Sequence, residues 1–133
     1  IKTFVVAGGS LSAGLFIVLA TLSETDHYFL LPLLSLLGLV GSYPVLIISH
    51  VRMLAPIHLV GRALTLSNLF SFGGVGMLQI FSGWLVGFFP LIEGVPSSRA
   101  YSTLFWALAG LSTIAVLFYS RTQDPDLERL NSA

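Results

Sequence analysis

The chain has no cysteine among its 133 residues, which excludes disulfides and thiolate metal sites. Charge is scarce too: six basic and six acidic side chains make up only 9% of the residues and cancel. Without a basic cluster there is nothing to hold a phosphate backbone, so nucleic acid is not an expected partner. The long apolar stretches carry no Asp, Glu, Lys or Arg in their interiors, which excludes a proton relay or carboxylate ion site from these residues. No charged, then apolar, then small-residue sequence precedes the first apolar run, so no signal peptide is read. The first residue is Ile1, and the chain is expected to be a piece of a longer protein.

Apolar residues fill the space these absences leave. The chain is 55% hydrophobic and its mean hydropathy is +0.91, too apolar for the surface of a soluble domain. The expected class is an all-α integral membrane protein with the bilayer as its main partner. Four apolar stretches predict transmembrane helices at about 3–22, 28–50, 63–89 and 101–120, each able to cross about 30 Å of hydrocarbon at 1.5 Å per residue. The third is long enough to need a tilt or a kink. A buried helix in a soluble core is the rival reading, and four consecutive spans with almost no polar face argue against it. Residues 1–120 thus form a four-helix membrane segment, and 121–133, with Pro125 and three acidic residues, form a polar tail.

The connections predict orientation. Lys2, Arg52, Arg62, Arg121 and Arg129 fall on one side and Arg99 on the other, which places both ends of the chain in the cytoplasm. The plasma (inner) membrane is the expected location.

The third span holds the residues that call for an explanation. At about 100° per residue Gln79 falls within roughly 20° of Asn68, and Ser71 and Ser82 lie within about 60° on the other flank. Gly73, Gly76, Gly83 and Gly87 form an adjacent stripe, and Gly83 and Gly87 have the small-xxx-small spacing of closely approaching helices. An amide in hydrocarbon needs a partner. Asn68 and Gln79 therefore either join helices or line a cavity, and the glycines serve either packing or ligand contact. In the second span Ser35, Ser42 and Ser49 recur every seven residues, and Pro44 should kink the helix. Tyr43 beside it offers a hydroxyl either to a cavity or to local packing. The first and fourth spans, with only small residues and scattered hydroxyls, read as scaffold, and Tyr101 and Tyr119 as interfacial aromatics.

Enzyme signatures are missing. His27, His50 and His58 sit at loops or span ends, where they are expected near headgroups, and they lack recognised zinc spacing. No nucleophile elbow or phosphate loop occurs in a suitable context. No enzymatic activity, metal or cofactor is expected.

The stretch "HVRMLAPIHLVGRALTLSNLFSFGGVGMLQIFSGWLVGFF" resembles the region joining the tenth and eleventh helices of major facilitator superfamily transporters. The likeness lies in a basic loop with a proline, then Gly61-Arg62-Ala63, an asparagine, and a glycine-rich helix ending in a small-xxx-small step. The superfamily's charged loop motif G-x-x-x-D-R-x-G-R does not occur. The resemblance covers essentially the whole chain and implies helices nine to twelve of a twelve-helix bundle, whose N-terminal helices would be further partners. It also implies transport of a small solute by alternating access, with Gln79, Asn68 and Tyr43 toward the solute path. Pro44, Gly73, Gly76, Gly83 and Gly87 would then permit bending and sliding, and Arg52 and Arg62 would act at the cytoplasmic loop. Two alternatives stay open: a small dimeric exporter of four helices, which resembles the chain poorly because no membrane glutamate stands in its first span, and a non-transporting anchor or assembly subunit.

Overall fold

The computed structural model describes residues 1–23 and 28–122. The acidic connection with Glu24 and His27, and the tail from 123 onward, lie outside the described residues. The described chain runs through α1 (Lys2–Leu22), α2 (Leu30–Val40), α3 (Pro44–Leu54), a 3-10 turn (Ile57–Leu59), α4 (Val60–Gly87), a hairpin of β1 (Leu91–Ile92) and β2 (Val95–Pro96), and α5 (Ser98–Ser120). Four helical stretches are long and apolar enough to cross a membrane: Lys2–Leu22, Leu30–Leu54, Ile57–Gly87 and Ser98–Ser120. Four candidate membrane helices therefore stand where hydropathy expects spans, with ends shifted by up to six residues. The second reaches Leu54 instead of His50, and the fourth begins at Ser98 instead of Tyr101.

The core is the pairing of α1 with α5. On α1, Val5, Gly9, Ser12, Leu15 and Leu19 recur every three or four residues and are all buried, forming one helical face. The buried residues of α5 are small: Ala100, Ser102 and Ala109. Ala20 meets Ser102, the Phe16 and Phe105 rings stack with centroids 6.5 Å apart, and Gly9 faces Val116, so the two helices run antiparallel. Between helices in lipid there is no hydrophobic drive, and small residues gain van der Waals contact by letting the backbones come close. The Ser102 Oγ, itself buried, donates a hydrogen bond of 2.7 Å to the Ala20 carbonyl and ties the pair.

The second span is broken, not merely kinked. Pro44 has no N–H to donate to Val40, and the Val40 carbonyl instead accepts from Tyr43 at 3.2 Å. Three-residue bonds from Ser42 to Leu39, Val45 to Ser42 and Leu46 to Tyr43 carry the chain through the joint. Gly41 just ahead of the joint keeps ordinary helical φ and ψ, and a Cβ there would stand a tight 3.1 Å from the Leu37 carbonyl oxygen. Pro44 thus opens α3 in the first-turn position where a missing N–H costs nothing.

Between the third and fourth spans the sequence suggests only a loop, but the chain makes a short antiparallel hairpin that pairs Leu91 with Pro96 and Ile92 with Val95. Its two-residue turn needs positive φ at both central positions, and Glu93 and Gly94 supply 53° and 83°.

Candidate functional site

α4 carries the candidate stripe, and it differs from the other long helices in having no buried residue along its 28. It touches α3, α5 and the 3-10 turn, yet most of its circumference stays open. Asn68 and Gln79 are both exposed. They are three helical turns apart, about 16 Å along the axis, on nearly the same face. Their hydroxyl neighbour Ser71 is spoken for, because its Oγ donates to the Ser67 carbonyl at 2.9 Å. Thr65 likewise donates to Gly61 at 2.9 Å. Such back-bonding uses the donors of Ser71 and Thr65 and leaves the donors of the two amides and of the Ser82 hydroxyl to offer a ligand or another helix.

The glycine stripe beside them is equally uncovered. A Cβ at Gly73, Gly76, Gly83 or Gly87 would meet nothing within 4 Å. Close approach between described helices occurs at other glycines. A Cβ on Gly8 would come within 2.8 Å of the Tyr43 Cβ and Cγ, and one on Gly9 within 2.6 Å of a Val116 methyl. The first span, read as scaffold, is therefore where glycine is sterically required.

Tyr43 does not join Asn68 and Gln79. It sits half-buried at the joint between α2 and α3, with its ring against Gly8 of α1. It lines a cavity of about 110 Å³ together with Gly9, Ile47, Val116 and Tyr119. Pro44 is at that same joint. Arg52 is exposed in the last turn of α3, where a cation favours the helix dipole, and Arg62 is exposed in the first turn of α4, where it does not. Neither arginine forms an ion pair with another described residue.

His50 departs furthest from expectation. It is expected near headgroups as an unengaged loop-end histidine, yet it is 2% exposed, and its Nδ1 is hydrogen-bonded to the Tyr119 hydroxyl. The two rings meet edge to face with centroids 5.7 Å apart. Tyr119, expected as an interfacial aromatic, becomes a clasp between the second and fourth spans. Helical spacing carried a signal for this, since His50 lies seven residues after Tyr43 and so on the same face of α3.

An open cleft lies away from the stripe. It measures about 440 Å³ and opens between the end of α1, the start of α2, the hairpin and the start of α5, with Leu30, Leu34, Pro96, Tyr101 and Phe105 among its lining residues. Its walls are apolar apart from Ser23, Ser98 and the Tyr101 hydroxyl. Among the described residues no group of three or more His, Asp or Glu side chains is placed to hold a metal. No protein-family model, curated protein or solved structure matches the chain.

Proposed function

We propose that the chain is part of a secondary active transporter of the major facilitator type, moving a small solute across the membrane by alternating access. In this reading the four spans are helices nine to twelve of a twelve-helix bundle, both ends lie in the cytoplasm, and the protein resides in the plasma membrane. The observation that carries the proposal is α4, an apolar helix long enough to cross the bilayer with no buried residue and two exposed amides on one face. An amide left facing lipid is unfavourable, so the stripe belongs against water, solute or another helix. The division of labour among the helices supports the same reading. α1 buries its apolar face on the small-residue face of α5 as peripheral helices would, while α2 and α4 have no buried residue.

Thiol accessibility tests this without knowledge of the solute. In the complete protein in native membranes, Gln79→Cys should react with a membrane-impermeant thiol reagent, whereas Ile80→Cys, about 100° around the helix, should not. Equal protection of both would remove Gln79 from a water-filled path. Disulfide cross-linking between copies at Gln79→Cys would favour the assembly-subunit reading instead.

A further inference from the structure

The connection between α3 and α4 combines two features that a membrane surface would recognise. Its first feature is exposed apolar surface: Ile57 is 94% exposed, Leu54 54% and Leu59 37%. Its second is the set of exposed cations around it, Arg52 just before the connection and Arg62 just after. The His50–Tyr119 hydrogen bond brings in a third, because Arg52 follows His50 by two residues and Arg121 follows Tyr119 by two. The clasp therefore sets Arg52 and Arg121 at one level at the same end of the bundle. Arg52, Arg62 and Arg121 form no ion pair with any described residue. The opposite end is different in kind: among the described residues its hairpin side carries Glu93 and Arg99, of opposite sign.

An apolar side chain that is fully exposed beside cations, in a chain whose helices are apolar enough to cross a bilayer, has the character of an interfacial anchor. Such segments bury apolar side chains at the headgroup boundary while their basic residues attract anionic lipids. Arginine suits the phosphate group because its planar fork donates two parallel hydrogen bonds. We propose that the connection at 55–59 lies in the membrane interface, with Ile57 inserted among acyl chains, and that Arg52, Arg62 and Arg121 bind the phosphates of anionic phospholipids there. This inference rests on the bilayer and not on transport, so either reading survives failure of the other.

The test is made on the full-length protein in vesicles of phosphatidylcholine, alone or with equimolar phosphatidylglycerol. No cysteine of this chain competes for label, and a polarity-sensitive fluorophore is placed on Ile57→Cys. The fluorophore should be quenched by acyl-chain nitroxide lipid and shielded from aqueous iodide. After extraction into detergent, phosphatidylglycerol affinity should fall about fivefold for each of Arg52→Gln, Arg62→Gln and Arg121→Gln, as expected for one surface cation lost. Arg99→Gln at the opposite end should leave it unchanged. Full quenching by iodide overturns the insertion. Equal losses in Arg99→Gln and Arg52→Gln, or displacement of the lipid by inorganic phosphate, overturn the lipid site and leave a general anion-attracting surface.

Discussion

At the scale of single residues, the described chain is held by a few polar contacts placed between helices that otherwise meet through small side chains. His50 and Tyr119 form the most informative of these, because a buried imidazole in an apolar bundle must satisfy its ring nitrogens or pay for their desolvation. The pair predicts coupling. In a double-mutant cycle with His50→Leu and Tyr119→Phe, thermal unfolding in detergent should return an interaction of about 0.6 to 2 kcal/mol, the range of interhelical hydrogen bonds in membranes. Additive losses would mean that the two residues act independently. The sequence signals for this contact were mixed. A histidine next to a basic loop fits an interfacial position, and only its register with Tyr43 places it on the inward face. Asn68 and Gln79 pose the opposite difficulty: spacing assigns them to one face of one helix, and both are exposed there, so spacing alone does not say what that face meets.

Elements were legible where hydropathy alone decides and obscure where backbone detail decides. Four long apolar runs announce four spans because each must satisfy its own backbone in hydrocarbon. The break at 41–43 was harder to read, since proline in a membrane helix ordinarily kinks it. Here Pro44 withholds its N–H and three-residue bonds carry the chain through 42–46, so one helix ends and another begins. Neither strand of the hairpin exceeds two residues, too few to show alternation, and Glu93 takes the positive-φ place that Asn, Asp or Gly usually fills in such a turn. The joint also yields a prediction. Pro44→Ala restores the N–H that would reach the Val40 carbonyl, so the helix should extend through 41–43. Hydrogen exchange should then show greater protection of the Gly41 to Leu46 amides, with Tyr43 drawn off Gly8. Unchanged exchange would place the cause of the break in Gly41 and the packing of Tyr43 on α1.

For the whole molecule, the closed α1–α5 pair contrasts with the open α4, whose face the proposed transporter would cover with further helices. Two glycine substitutions read that contrast. Gly9→Val forces a branched side chain against Val116, where even a Cβ would stand only 2.6 Å away, and should destabilise the chain by about 1 to 3 kcal/mol as overpacking does. Its effect should be the same whether the chain is studied by itself in detergent or within its complete protein. Gly83→Leu meets nothing within 4 Å in this chain and replaces a weak helix former with a strong one, so by itself it should be neutral or slightly stabilising. If the α4 face is closed by further helices, the same substitution should lower the melting temperature of the complete protein and impair transport. The decisive quantity is therefore the difference between the two settings. A Gly83→Leu variant silent in both would show α4 facing lipid along its glycines and would leave only the amide stripe to support a solute path.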